Sequence, residues 1–348
     1  MKKSTFLKSS IAFSTLFFIA ISTTFAQTSP TTFGGSLDMY YKYDFSEYDN
    51  SYTSFTNSQD SFELGMASIE ASHKQGKATG FVDLGFGNRA SQFTYNDAST
   101  TFMIKQLYVM YDFTPKFKVT AGSFATHFGY ELVDAVDNKN YSMSYAFTYG
   151  PFFNTGLKAQ YTSGKYIFML GVTNPTDFKT ASEAGTKQKT FIGQIGYVGT
   201  TGNAYFNLTT GSSNPSSTKN KTQFDIVCSK KINDKFSLGF NGTYSMVTDD
   251  FDSNLDGNWF ALVGYASYTA KPKLSYAYRL EYFNDKDGIV AFAGGANVIA
   301  NTFSLNYKEG NLTFIPEIRF DAASENIFTD GDPTKISVFA LLGASYSF

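Results

Sequence analysis

Histidine and cysteine are almost absent from this chain of 348 residues, which has two histidines, His73 and His127, and one cysteine, Cys228. A single cysteine excludes an internal disulfide and any cysteine-based zinc site, and two isolated histidines exclude a histidine-rich metal centre. Charge is scarce as well, at 17% of residues, where soluble domains average about 25%. Proline numbers 8, and no stretch is rich enough in proline or charge to act as a linker. Nothing is basic enough to suggest a nucleic-acid partner. Long apolar runs are also missing. Beyond the N-terminal segment no stretch approaches the ~20 apolar residues of a membrane-spanning helix, and the mean hydropathy is slightly polar. A barrel wall whose apolar and polar faces alternate averages to such a value.

The first segment reads as a targeting signal. Lys2, Lys3 and Lys8 precede an apolar core at 11–21, and Ser22-Thr23-Thr24-Phe25-Ala26 supplies small residues for cleavage. Residues 1–26 are therefore expected to be a secretory signal peptide, cut near Ala26-Gln27, because the core is too short to span a bilayer of about 30 Å. No cysteine follows the cut, so a lipoprotein is not expected. Cleavage would remove three of the 28 Lys+Arg and leave 25 against 30 Asp+Glu, a net of −5.

What the chain has in excess is aromatic residues, with Tyr 24, Phe 37 and one Trp making 18%. It also has alternation. In the last fourteen residues Ile336, Val338, Ala340, Leu342, Ala344, Tyr346 and Phe348 share one face, and the other is mostly small. A period of two over this length is a strand signal that no helix keeps. Segments 33–45, 273–283 and 311–321 repeat it clearly. Weaker versions lie near 60–74, 78–88, 101–113, 116–124, 151–163, 165–174, 189–199, 203–212, 220–230, 235–247, 257–269 and 296–308. Two irregularities stand out. Glu63 and Glu70 have opposite parity in one strand, so one faces lipid or a bulge intervenes. Pro316 cannot donate to a ladder and suggests a second bulge.

The connections alternate in length. Short ones such as Gln75-Gly76-Lys77, Ser163-Gly164-Lys165 and Glu309-Gly310 have tight-turn chemistry. Long polar ones fall at 46–59, 89–100, 125–150, 175–188, 213–219, 248–256, 284–295 and 323–334. A soluble sandwich has no reason to alternate in this way. The pattern predicts an all-β fold: residues 27–348 as one transmembrane up-and-down antiparallel β-barrel of about sixteen strands (roughly 14–18), with short periplasmic turns and long extracellular loops. The last strand should pair antiparallel with 33–45 and remove both sheet edges. Tyrosine and phenylalanine near strand ends suit the two membrane interfaces.

A barrel of this size is wide enough to hold water, so selectivity depends on a loop folded inwards and on the charges facing it. The longest connection, 125–150, is expected to dip into the lumen and form the constriction, with His127, Tyr130, Glu131, Asp134 and Asp137, and with one or two helical turns at 131–136. By parity the wall offers Asp38, Lys42, Asp44, Glu63, Asp83, Asp112, Lys118, Lys158, Asp225, Arg279, Glu281, Lys308, Glu317, Arg319 and Asp321. Arg279 with Glu281, and Arg319 with Glu317 or Asp321, are same-face neighbours. These charges either screen solutes or pair for stability. The acidic surplus of wall and loop points to a mild preference for cations. Tyr40, Tyr130, Tyr141, Tyr145 and Tyr149 read as loop packing or girdle more readily than as a sugar-stacking track. Cys228 has the apolar parity of its strand and should be inert against lipid.

The run Gly122-Ser123-Phe124-Ala125-Thr126-His127-Phe128-Gly129-Tyr130-Glu131, followed by Asn138, Asn140-Tyr141-Ser142-Met143-Ser144 and Pro151-Phe152-Phe153-Asn154-Thr155-Gly156, resembles the OmpL-like β-barrel porin family. The resemblance covers most of the chain beyond the signal, with this third the distinctive part. It implies a porin-type channel in a Gram-negative outer membrane and supplies no site residues.

Two functions stay open. One is a water-filled channel for passive diffusion of small hydrophilic solutes or ions, needing no cofactor. The other is a barrel with a closed lumen acting through its outer loops, as adhesin, structural protein or rim enzyme. Ser123, His127 and Asp134 or Asp137 could be drawn as a catalytic trio, but almost any loop offers one, so no enzyme is expected. With no plug domain before Phe33, an energised transporter is not expected either. The expected partners are outer-membrane lipid and the barrel-assembly machinery. Association as a homo-oligomer is left open.

Overall fold

The computed structural model describes residues 30–348, except 98–102, 182–187, 213–218, 250–251 and 254–255. The expected signal peptide lies outside the described residues. The strands are β1 (Thr32–Asp44), β2 (Ser61–Gln75), β3 (Ala78–Phe86), β4 (Ile104–Thr114), β5 (Phe117–Ala125) and β6 (Phe153–Ser163). Then come β7 (Tyr166–Thr173), β8 (Thr190–Val198), β9 (Gly202–Ser212), β10 (Lys219–Lys231), β11 (Phe236–Asp249) and β12 (Gly257–Lys271). The last are β13 (Leu274–Asp285), β14 (Ala296–Glu309), β15 (Leu312–Ala323), the two-residue pieces β16 (Phe328–Thr329) and β17 (Pro333–Thr334), and β18 (Ile336–Ser347). Among the described residues, all except β16 and β17 form one closed antiparallel barrel of sixteen strands. Each barrel strand bonds to its neighbours in the chain, and β18 closes the ring onto β1. The closing register runs from Ser36 opposite Ser347 to Asp44 opposite Phe339.

The alternation sorts side chains inside out relative to a soluble protein. Outward residues such as Phe62, Leu170 and Phe191 are apolar and exposed, whereas inward ones such as Asp225, Arg279 and Glu281 are charged and 0% exposed. That distribution is stable only with lipid outside and polar partners inside. In β18 the odd-numbered residues Ser337 to Ser345 face inward, and Ile336, Leu342 and Tyr346 face out. Cys228 lies on the outward side with Phe224 and Ile226.

Both irregularities have a resolution. The register between β1 and β2 slips at Asp38/Met39, so that Gly65 is the extra residue of a β-bulge. The bulge brings Glu63 and Glu70 to the same side while Phe62, Leu64 and Ile69 stay exposed. No bulge forms at Pro316. The β14–β15 ladder omits Leu305 and Asn306 opposite Ile315 and Pro316 and resumes in the same register, and β18 pairs through Pro316 without a break. The proline therefore interrupts the ladder over two pairs, Leu305 opposite Pro316 and Asn306 opposite Ile315, without a register shift. The short connections turn on glycine where a left-handed backbone is needed, at Gly76 (φ 60°) and Gly310 (φ 61°). The long connections gather at the other end, where the second carries a short helix, α1 (Asn88–Phe93).

Candidate functional site

The connection from β5 to β6, residues 126–152, is bonded to inward-facing residues of the wall along most of its length. The helical turns expected at 131–136 are not there. The loop has a 3-10 turn at Ala135–Asp137 and one helical turn, α2 (Tyr145–Thr148). The wall supplies the reason. Glu131 is drawn straight onto Arg279 (2.5 Å), while the free N–H groups at the start of α2 find acceptors. The Ser144 hydroxyl accepts from Phe147 N–H (3.0 Å), and Glu281 accepts from Tyr145 N–H (2.9 Å) and Ala146 N–H (2.7 Å).

Four residues on β13 and β15 hold the backbone at 141–146. Glu317 accepts from Tyr141 N–H (2.8 Å) and Ser142 N–H (3.1 Å). Arg279 donates to the Ser142 carbonyl (2.5 Å), and Arg319 donates to that of Met143 (2.7 Å). Arg319 also pairs with Asp321 (2.7 Å) and lies over the Tyr145 ring (5.1 Å), whose hydroxyl donates to Asp321 (2.8 Å). Each contact is charge-assisted and buried, the stronger class of hydrogen bond. The wall glycines leave room for the loop: a Cβ on Gly343 would run into the Tyr141 ring, and one on Gly239 into the Tyr130 ring.

The loop carboxylates are mostly spoken for. Glu131 also accepts from Ser144 N–H (2.9 Å) and Oγ (2.6 Å). Asp134 pairs with Lys105 (2.7 Å), which also reaches Asp83 (3.1 Å). Asp137 has no ion pair among the described residues; partial burial of its carboxyl group, then Asp134 beside it, push its pKa up. The Tyr141 hydroxyl donates to Asp38 (2.5 Å), which pairs with Arg89 Nε (3.4 Å). Arg89 comes from α1, is 0% exposed, and lies over the Phe55 and Tyr141 rings.

On the opposite wall the attachment is thinner. Gly129 N–H donates to Asp225 of β10 (3.1 Å), and His127 Nε2 lies 3.2 Å from the Leu208 carbonyl of β9. Asp225 is otherwise occupied by Asn207, Asn241 and Thr243. Burial holds His127 down to about 4, so the ring is neutral near pH 7. Tyr130 stacks on Tyr265 of β12 at 4.1 Å. At the far end of the loop, Phe152 and Phe153 N–H both donate to Asp177 (2.7 and 2.9 Å), a residue of the β7–β8 connection. Burial raises this carboxyl to about 6.

The other expected residues are scattered around the wall. Lys42 reaches Ser51 (2.5 Å) and Asp49 (3.6 Å). Asp44 accepts from Ser46 and Ser337. Lys158 lies over the Phe124 ring (3.9 Å) without an ion pair among the described residues. No catalytic trio gathers among the described residues: His127 faces the Leu208 carbonyl, Asp134 faces Lys105, and Ser123 Oγ has no partner. The tyrosines are packing groups, with Tyr40 against Tyr141 (5.5 Å) and Tyr149 donating to the Tyr52 carbonyl (2.9 Å). Two cations were not foreseen. Lys105 is the extra residue of a bulge where the β3–β4 register slips at Asp83/Leu84, so it turns inward against the alternation. Arg89 sits in a connection whose parity carries no information. Helix-forming residues at 88–93 were the available signal.

The family model described as "Putative beta-barrel porin-2, OmpL-like" matches residues 30–348. No curated protein sequence matches the chain. Among solved structures, an anion-selective porin from Comamonas acidovorans aligns with TM-score 0.64 at 10% identity, covering 92% of this chain and 100% of its own. The in-vitro folded OmpT of Vibrio cholerae, described as a trimer form, aligns with TM-score 0.61 at 12% identity, covering 92% and 100%. The outer-membrane channel DcaP of Acinetobacter baumannii aligns with TM-score 0.60 at 13% identity, covering 91% and 97%. At these identities the likeness is one of fold.

Proposed function

The chain belongs to the OmpL-like family of β-barrel porins, and from that premise we propose that it is an outer-membrane channel for passive diffusion of small hydrophilic solutes, with loop 126–152 as its constriction. The observation that carries the reading is the loop's course. It is bonded to Asp225 on one wall and to Glu317 on the other, so any solute crossing the barrel must pass it. Export by the signal peptide and insertion among outer-membrane lipids belong to the same reading. So does association of barrels, supported by the trimer form of the Vibrio cholerae neighbour.

Selectivity on this reading is narrower than the acidic surplus suggested. Glu131 and Asp134 are paired with Arg279 and Lys105, which leaves Asp137 as the loop carboxylate able to attract cations. In a bilayer reversal-potential measurement Asp137→Asn should remove most of a cation preference. Asp134→Asn should change it little. An unchanged potential in the Asp137 variant would sink the assignment of Asp137 to the constriction.

A closed lumen remains the second reading, favoured by the burial of Asn207, Gln223 and Asn241 on the inner wall, each no more than 2% exposed. Single-channel recording of the refolded protein separates the two: stepwise conductance supports the channel, and silence under voltage supports the closed barrel.

A further inference from the structure

Beneath the loop, toward the short-turn end of the barrel, two small cavities meet at Asn138 and Lys139. One, of about 230 Å³, is lined by Lys139, Lys271, Lys273 and Lys308 together with polar groups such as Asn306 and Ser345. No Asp or Glu lines it. Lys273 is shared with Glu309 (2.6 Å), whereas the other three lysines have no ion pair among the described residues. Lys271 lines the cavity from the end of β12, where the β12–β13 register slips between Thr269 and Lys271. Lys139 is held in place through its backbone, whose carbonyl accepts from Asn306 Nδ2 (2.9 Å). The second cavity, of about 220 Å³, is lined by the Tyr130 and Tyr265 pair, Asp137, Asn140, Ser237 and Ser267. Glu131 also lines it but is committed to Arg279.

One cavity thus offers three ammonium groups with no ion pair among the described residues, and the other offers an aromatic edge with amides and hydroxyls beside the Asp137 carboxylate. We infer that the two together bind a small hydroxylated anion, such as a uronic acid, on the periplasmic side of the constriction. The lysines would hold the carboxylate, and Asn138, Asn140 and the serines its hydroxyls. Lysine binds an oxyanion as a point charge, so affinity depends on charge and falls with salt. The inference names a solute class for the channel proposed above and rests on that reading for its role in transport, though not for binding.

Isothermal calorimetry on the refolded full-length barrel in detergent at low ionic strength tests it, with glucuronate, glucose and inorganic phosphate as probes. Glucuronate should bind about tenfold tighter than glucose, and Lys139→Gln and Lys308→Gln should each weaken it roughly fivefold. Lys335→Gln, at the long-loop end, should leave it unchanged. A heat-shifted gel band confirms that each variant is folded. Equal affinity for glucose and glucuronate, no effect of either lysine variant, or no binding heat overturns the site. Phosphate bound as tightly as glucuronate overturns the sugar assignment. Conductance recorded on the same preparations keeps the two proposals apart: binding lost with steps intact defeats the site alone, and binding intact without steps defeats the channel alone.

Discussion

The two walls of the lumen hold the same loop by different means. On β13 and β15 two arginines and two glutamates grip five of the six residues 141–146, mainly by their backbone. On β9 and β10 the loop touches the wall at Gly129 and His127, through single neutral or half-charged contacts. A grip on backbone groups is indifferent to the loop's side chains, so the loop could vary in sequence there and still sit in place. The thin side is where the loop can give. The difference suggests a fixed jaw and a yielding one.

Breaking the fixed jaw should have the largest effect. Arg279→Met removes the partner of a buried Glu131 and the donor to Ser142, and loss of one member of a buried pair costs about 3–5 kcal/mol. Residues 131–148 should become open to protease, and conductance should rise while the barrel itself stays folded. Next comes the clasp at Asp177. Its carboxyl is held at about 6 by burial, above the ordinary value near ~4. The protonated form is therefore the one favoured by folding. The clasp should be at full strength below pH about 4 and weaken as pH rises through about 6, by on the order of 2 kcal/mol. Hydrogen exchange at the Phe152 and Phe153 amides, corrected for intrinsic rates, should show added exposure at pH 7.5 that Asp177→Asn removes. Smallest is the yielding jaw: Asp225→Asn weakens one bond to Gly129 and should cost the loop about 1 kcal/mol. Conductance should change less than for Arg279→Met. If Asp225→Asn releases the loop as fully as Arg279→Met, the two walls are equivalent and the comparison fails.

The barrel was legible because each strand repeats one signal. Parity placed Asp38, Lys42, Arg279, Glu281, Glu317 and Arg319 inward, and the alternation of turns and loops matched the connections. Partners were another matter. Arg279 and Glu281 are two apart on one strand, yet each turns to the loop, Arg279 to Glu131 and Glu281 to the α2 amides. Arg319 does pair with Asp321, while Glu317 takes the Tyr141 and Ser142 amides. Periodicity reports which face a residue occupies, not which distant segment will compete for it. Bulges mark the second limit. The conflict between Glu63 and Glu70 announced one at Gly65, because two charges disagreed. The bulge at Lys105 left the same trace, since Lys105 and Asp112 of β4 have opposite parity and yet both face inward, but parity assigns Asp112 alone to the wall. The small inner face of β18 was the sequence trace of the loop itself, since Gly343 is where Tyr141 seats.

Single-channel conductance of the refolded wild type and Arg279→Met, recorded side by side, tests the claim that loop 126–152 is the constriction of an open channel. The account predicts discrete steps in the wild type and larger steps in the variant. Steps of equal size would contradict the constriction, and silence in both would contradict the channel.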